Sequence, residues 1–262
     1  MDPICFQIGS FEIRWYGVLA ALGFLVATYL VNLNRRYARM NSDQATSLVF
    51  FAVIAGIVGA RIFFVVLNFE QYRQQLWKIV RIDEGGLVFY GGFFLALMTV
   101  ILYCRWHKIS MVATMDVLAP ALAAGHAFGR IGCFLNGCCF GKPTDSFLGC
   151  VYPVGSAPFL RYGALALHPV QLYEVAANVL LFILLFYLVR RARTGIAMST
   201  YIIAYGSLRF VDEFFRGDHP ARELMFGVLT PAQVIGLLLV PLGILLLIFF
   251  LKHDQKITET QD

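Results

Sequence analysis

Apolar segments long enough to cross a lipid bilayer recur along the whole 262-residue chain. A helix needs about 20 mostly apolar residues to span the hydrocarbon core. Hydrophobic residues make up 59% of the chain and charged residues 14%, and the mean hydropathy of +0.72 is far from a soluble average. The sequence therefore predicts an all-α polytopic membrane protein with about seven helices. The predicted spans cover residues 15–33, 45–67, 86–104, 111–135, 169–189, 196–215 and 230–251.

The composition and the two ends of the chain predict no second domain beside this helical bundle. No shift in composition divides it, so residues 1–262 are expected to form one integral membrane domain. The first residues lack the basic region of a cleavable signal peptide. Residues 1–13 alternate apolar and more polar positions and predict a short amphipathic lead-in. Thr230 before Pro231 predicts the N-cap of the last span.

The loops between the predicted spans differ in charge on the two sides of the membrane. The loops after spans one, three and five carry Arg35, Arg36, Arg39, Arg105, Lys108, Arg190, Arg191 and Arg193, with Asp43 as their acid. The opposite loops mix both signs, with Glu70, Arg73, Lys78, Arg81, Asp83, Glu84, Lys142, Asp145 and Arg161. Because Lys and Arg accumulate in cytoplasmic loops, the N-terminus is predicted outside, the C-terminus inside and a small loop region in the periplasm. The same rule accounts for the formal net charge of +5, so this charge does not indicate a nucleic-acid partner.

The fourth predicted span ends in residues 126–141, where Arg130 lies deep in an apolar run. Inserting an arginine into a membrane helix costs about 2.5–3.5 kcal/mol, so such residues usually face a cavity or an anionic ligand. Asn136 and its neighbouring glycines suit a turn with free backbone N–H groups, which also favours anions. The stretch is therefore a candidate anion site near the outer leaflet.

Arg130 and Arg209 are expected near the same membrane face. Each offers a planar fork of donors that matches a phosphate, and the anion in an outer-leaflet cavity would be a phospholipid headgroup. The alternative is that each arginine neutralises a nearby acid. Asp116 is the candidate partner of Arg130, and Glu213 shares a helix face with Arg209 at i and i+4. Arg61 is expected to be structural and paired with an acid on a neighbouring helix.

Several other polar residues expected near this face have two interpretations each. Asp212, Glu213 and Glu174 are candidate bases or groups that orient the arginines. His126 is either a base or a histidine bonded within the bundle. Tyr16 and Tyr90 either donate to phosphate oxygens or belong to the aromatic belt, and His168 before Pro169 suits a loop or cap.

The cysteines do not follow the paired CxxC spacing of a zinc site, so no metal site is predicted. They are Cys5, Cys104, Cys133, Cys138, Cys139 and Cys150. If the last four lie on the oxidising side of the membrane, one disulfide is expected among them, with its pairing open.

Five blocks of the sequence match, in order, those of a known family. They are Arg14-Trp15-Tyr16-Gly17, Met115-Asp116-x-x-Ala119-Pro120, Gly125-His126-Ala127-Phe128-Gly129-Arg130-Ile131-Gly132-x-Phe134-x-Asn136-Gly137, His168-Pro169-x-Gln171-Leu172-Tyr173-Glu174 and Arg209-Phe-x-x-Glu213-Phe-Phe-Arg216. The chain thus resembles the bacterial prolipoprotein diacylglyceryl transferases over nearly its whole length. The resemblance implies an inner-membrane enzyme, without a metal or organic cofactor, whose active site faces the periplasmic leaflet. It would transfer the diacylglyceryl group of phosphatidylglycerol to the lipobox cysteine thiol of preprolipoproteins.

The resemblance also implies roles for individual residues. The expected catalytic residues are Arg209, Glu213, Tyr90 and Tyr16. The expected substrate-binding residues are Arg130, which would contact the phosphatidylglycerol headgroup, with Asn136, Gly141, Arg209 and His168.

Three positions depart from the family pattern. Tyr90 stands where the family commonly has a histidine, and Cys133 and Cys138 stand where it commonly has asparagine and glutamate. Tyrosine, with a pKa of about 10, is a poor base at neutral pH. A thiol near two arginines ionises more readily, which favours activation without a dedicated base. The departures leave a headgroup-binding paralog without transferase activity as an alternative. A polytopic transporter is a weaker one, since the chain has no inverted repeat.

Overall fold

The computed structural model describes residues 3–9, 11–81, 85–218 and 228–259. Seven helices of 18 residues or more lie within these ranges. They are α1 (Trp15–Asn34), α2 (Ser42–Leu67), α4 (Phe89–Trp106), α5 (Met111–Asn136), α7 (Val170–Arg191), α8 (Ile196–Phe215) and α9 (Pro231–Glu259). The shorter helices are α3 (Phe69–Tyr72) and α6 (Ala157–Tyr162), and 3-10 turns cover Arg35–Ala38 and Leu76–Val80.

Six of the long helices are long and apolar enough to cross a membrane, which confirms the all-α polytopic membrane fold. The helix outside this set is α8, whose last turns carry Arg209, Asp212 and Glu213. Large apolar side chains such as Leu25 and Leu67 are exposed along the other helices, as a lipid-facing surface requires. The membrane crossing of α8 and the predicted orientation stay predictions. Asp83 and Glu84, which entered the charge comparison, lie outside the described residues.

The lead-in is a β-hairpin rather than part of the helical bundle. Strands β1 (Ile4–Ile8) and β2 (Phe11–Arg14) pair antiparallel, with Phe6 opposite Ile13 and Ile8 opposite Phe11. An alternation of apolar and polar residues has the period of a strand, so this hairpin is the physical form of the predicted amphipathic segment. Gly9 turns the chain with a φ of 60°.

The chain divides into two compact units, one of Met1–Leu30 with Met115–Asp262 and one of Val31–Thr114. In the Val31–Thr114 unit, α2 packs against α4 through glycines. A Cβ on Gly91 would lie 2.5 Å from the carbonyl oxygen of Gly59, so the two backbones are in direct contact. Small residues allow this approach between membrane helices.

Arg61 is a structural residue of the same unit, as expected, and among the described residues its hydrogen-bond partners are backbone carbonyls rather than acids. Its guanidinium donates to the carbonyls of Lys78, Ile79, Gly85 and Gly86 at 2.7 to 3.0 Å. Arg61 thus provides hydrogen-bond donors for backbone carbonyl groups in the segment between α2 and α4.

In the other unit, α5 is the most buried of the candidate spans, with 56% of its apolar window buried. Its Asp116 accepts hydrogen bonds from the N–H groups of Gly195 and Met198 and so caps the first turn of α8. Helix α9 begins as predicted, since Thr230 and Gln233 exchange hydrogen bonds in a capping box.

Candidate active site

Arg130 forms a buried ion pair with an acid on another helix. Its Nε lies 2.7 Å from Oε2 of Glu174 on α7, and the two side chains are 13% and 6% exposed. Glu174, not Asp116, is therefore its partner, because Asp116 points to the start of α8. This contact uses Nε, so the edge between Nη1 and Nη2 is a separate pair of donors. Oε1 of Glu174 has no hydrogen-bond partner among the described residues.

Arg209 pairs with Glu213 one turn along α8, as its i and i+4 spacing indicates. The Nη2 of Arg209 lies 3.2 Å from Oε2 of Glu213, and the same oxygen lies 3.9 Å from Nη1 of Arg216. The Nη1 of Arg209 is buried and has no hydrogen-bond partner in the part of the chain that the structure describes. A buried donor left unsatisfied costs about 1–3 kcal/mol, so this nitrogen favours an acceptor group from a ligand.

Arg216 is the third arginine of the site, and its contribution was not expected. It donates two hydrogen bonds to the carboxylate of Asp218, from Nε to Oδ1 at 2.9 Å and from Nη2 to Oδ2 at 2.7 Å. Asp212 and Glu174 each interact electrostatically with Arg130, Arg209 and Arg216. The three arginines and their acids therefore form one charged network. The spacing of Arg216, seven residues after Arg209, is the sequence signal that would have indicated it.

The ring of His126 packs against an aromatic side chain of α8 within this network. Its ring stacks on Tyr205 with centroids 5.1 Å apart, and Tyr205 stacks on Tyr201 at 5.7 Å. His126 also interacts electrostatically with Arg130 and Arg209. The stacked ring therefore packs between α5 and α8, and a role of His126 as a base stays a prediction.

Tyr16 and Asn136 both lie near the thiols that follow Arg130. A Cβ on Gly132 would lie 3.1 Å from Cδ2 of Tyr16, so the tyrosine packs closely on α5. Tyr16 interacts electrostatically with Arg130 and with the neighbouring thiols. The Asn136 side chain, at the last residue of α5, is hydrogen bonded with Cys138.

Gly141 and His168 lie beside the network, at a point where three chain segments cross and are joined by backbone hydrogen bonds. Gly141 donates its N–H to the carbonyl of His168 at 3.1 Å, and Gly217 donates to the carbonyl of Phe140 at 2.9 Å. A Cβ on Gly141 would collide with His168, so only glycine fits here. Nδ1 of His168 lies 3.2 Å from the hydroxyl of Tyr173. Both residues thus hold the chain segments next to Arg216, and their contact with substrate stays a prediction.

Tyr90 belongs to the Val31–Thr114 unit rather than to the unit that carries the arginines. It is 46% exposed and its ring lies edge-on to Phe89, with centroids 5.8 Å apart. Its catalytic role stays a prediction.

Three thiols meet where α5 ends. The Sγ atoms of Cys133, Cys138 and Cys139 lie within 4.8 Å of one another, and all six cysteines of the chain are free thiols. The expected disulfide is therefore not formed. Hydrogen bonding with the side chains of Cys133 and Cys138, together with the nearby Arg216 and Arg130, lowers the pKa of Cys139 well below its usual range. Spacing alone did not reveal this three-thiol cluster, because a turn brings the sulfurs together.

Comparisons with known proteins agree with the sequence blocks. The profile of the family described as prolipoprotein diacylglyceryl transferase matches residues 3–249. A phosphatidylglycerol--prolipoprotein diacylglyceryl transferase 1 of Clostridium perfringens is 33% identical over 260 residues, which cover 98% of this chain and 97% of the relative. The similarly named protein of Geobacter sulfurreducens is 32% identical over 249 residues, 93% of each chain.

These matches extend over nearly all of both chains, so they include the arginine network and the long helices together. The resemblance found in the sequence blocks is thereby confirmed. The chain belongs to the prolipoprotein diacylglyceryl transferase family.

Proposed function

We propose that this protein transfers the diacylglyceryl group of phosphatidylglycerol to the lipobox cysteine thiol of preprolipoproteins, the first step of bacterial lipoprotein maturation. The observation that carries the proposal is the arginine network of a family member, in which Arg209 keeps a buried donor without a partner among the described residues. The network lies next to apolar helices that would accommodate the lipid chains. The protein would act in the inner membrane, with its site toward the periplasmic leaflet, as the basic loops predict.

Binding of the headgroup would use the donor edges that the ion pairs do not occupy. Arg130 contacts Glu174 through Nε, and Arg209 contacts Glu213 through Nη2. Each arginine therefore retains donors for phosphate oxygens while an acid holds its orientation. Tyr16 and Asn136 would line the same site from the start of α1 and the end of α5.

In the reaction, the sulfur of the lipobox cysteine attacks a glycerol carbon of phosphatidylglycerol. A carbon–sulfur bond forms, the bond between that carbon and the phosphate oxygen breaks, and glycerol phosphate leaves. The thiol proton is released, and the new phosphate monoester can take it. Negative charge grows on the leaving phosphate, so arginine donors directed at it lower the barrier.

The experiment measures transfer from labelled phosphatidylglycerol to a lipobox peptide by the purified chain in detergent micelles. Removing a donor that stabilises such charge typically costs about 100- to 1,000-fold in rate, so Arg130→Ala and Arg209→Ala are expected to lose at least that much. The matched control is Arg105→Ala, which removes an exposed arginine at the end of α4 and should retain full activity.

The outcome also separates the transferase from a headgroup-binding paralog. Binding of phosphatidylglycerol by intact, folded protein without any transfer would favour the paralog. Equal rates for the original chain and Arg130→Ala would remove Arg130 from the headgroup site. Undiminished activity of Tyr90→Phe would remove Tyr90 from the catalytic residues.

A further inference from the structure

The three-thiol cluster has no part in the proposed transfer, yet its sulfurs converge on one point. Sulfur ligands bind zinc at about 2.3 Å, which places three sulfurs around one ion at separations of about 4 Å. The Sγ atoms of Cys133, Cys138 and Cys139 already lie within 4.8 Å of one another. Contraction by less than about 1 Å would therefore complete a three-sulfur coordination shell.

The backbone around the cluster holds this arrangement. Gly137 has a φ of 68° and Cys139 a φ of 59°, a left-handed conformation that a cysteine rarely adopts. Gln171 on α7 donates to the carbonyl of Cys138 at 2.7 Å, and Tyr152 donates to Gln171 at 3.3 Å. A non-glycine residue in this region persists when its surroundings impose it, as at functional sites.

Two guanidinium groups next to the cluster provide positive charge that would balance the thiolate ligands of a bound metal ion. Arg216 and Arg130 both interact electrostatically with Cys139. Three thiolates around a monovalent or divalent ion leave a net charge of about −2 or −1 by formal counting. The two guanidinium groups offset that charge.

We propose that Cys133, Cys138 and Cys139 bind one soft, thiophilic metal ion. Thiolates select soft ions such as Cu(I) over hard ones such as Mg²⁺. Cu(I) is complete with three sulfurs, whereas Zn²⁺ is usually tetrahedral and needs a fourth ligand. The geometry therefore fits Cu(I) best. The proposal does not depend on the transfer reaction, and its readouts contain no activity measurement.

The test uses the full chain in detergent micelles, reduced with a phosphine, and titrates it with Cu(I) against a chromophoric chelator. We expect one equivalent of Cu(I) per chain. Serine at any one of the three positions should weaken binding by more than about tenfold, since a ligand is lost outright. Cys5→Ser and Cys150→Ser are the matched controls and should bind as the original chain does. Unchanged stoichiometry in the triple serine variant would overturn the proposal.

A second measurement needs no variant and so does not depend on how the substitutions fold. Maleimide labelling of the reduced original chain is mapped by mass spectrometry with and without Cu(I). Protection of Cys133, Cys138 and Cys139, while Cys5 stays reactive, is the expected result. Equal labelling with and without the ion would refute the site. Stronger protection by Zn²⁺ than by Cu(I) would contradict the assignment of a three-coordinate ion.

Discussion

Arg130 shows how a single membrane arginine is both stabilised and kept available. Its Nε binds Glu174 at 2.7 Å, and both side chains are buried. Removing one partner of a buried ion pair leaves an uncompensated charge, which is far more destabilising than replacing both partners by apolar residues. The pair therefore orients the guanidinium. It also makes the stability of the folded protein depend on both residues being present together.

The first prediction concerns this dependence. Glu174→Met alone should lower the free energy of unfolding by about 3–5 kcal/mol, since Arg130 then lies buried beside other arginines. The double variant Arg130→Met with Glu174→Met should recover most of that loss. Denaturant unfolding of the purified chain in micelles measures both values. Losses that simply add in the double variant would show that the two residues do not act as a pair.

The partner of Arg130 is a contact that could not be predicted from the sequence, whereas the partner of Arg209 could. Arg209 and Glu213 share one helix, so their spacing alone predicted the pair. Asp116 lies 14 residues before Arg130 on the same helix, about 21 Å away along its axis, so it could not reach the guanidinium. Glu174 lies on α7, and its contact with Arg130 depends on how α5 and α7 are rotated against each other. Asp116 instead caps α8, because its carboxylate reaches the free N–H groups there. No local pattern encodes such a rotation.

The helices themselves follow closely from local sequence signals. The predicted span 196–215 coincides with α8, and the span from Thr230 starts one residue before α9. Apolar length and N-cap residues act within a few residues, so they locate helix ends without tertiary information. The three-thiol cluster and the crossing at Gly141 depend on positive φ angles and on contacts with distant segments. These features were accessible only from the structure.

A prediction at the element scale concerns the contact of α2 with α4. Gly59→Ala places a Cβ against the carbonyl of Gly91 and 2.7 Å from the Cβ of Leu95. The helices must separate, so we expect a loss of about 1–3 kcal/mol in the free energy of unfolding. The control is Gly125→Ala on α5, where a Cβ meets nothing within 4 Å.

Thermal unfolding of the two glycine variants in the same micelles provides the comparison. A lower melting temperature for Gly59→Ala with an unchanged or higher one for Gly125→Ala is expected, because alanine favours the helix where space allows. Similar melting temperatures for both variants would mean that α2 and α4 tolerate separation.

At the scale of the whole molecule, the proposed reaction requires the arginine network to face the side from which preprolipoproteins emerge. The basic residues that predict this orientation lie at the ends of α1, α4 and α7, as with Arg35, Arg105 and Arg191. The loop that follows Asn136 contains a buried cluster of Phe140, Tyr152 and Leu167. The loop therefore has a small hydrophobic core of its own.

The last prediction tests that orientation with two single substitutions in exposed positions. Phe147 is 94% exposed in the loop after α5, and Arg191 is exposed at the end of α7. In bacterial cells whose outer membrane is removed, a membrane-impermeant maleimide should label Phe147→Cys directly. Arg191→Cys should react only after the inner membrane is permeabilised, because basic loops stay cytoplasmic. Labelling of the parent chain supplies the background from its own thiols. The reverse pattern would place the arginine network on the cytoplasmic side, where a periplasmic lipobox thiol could not reach it.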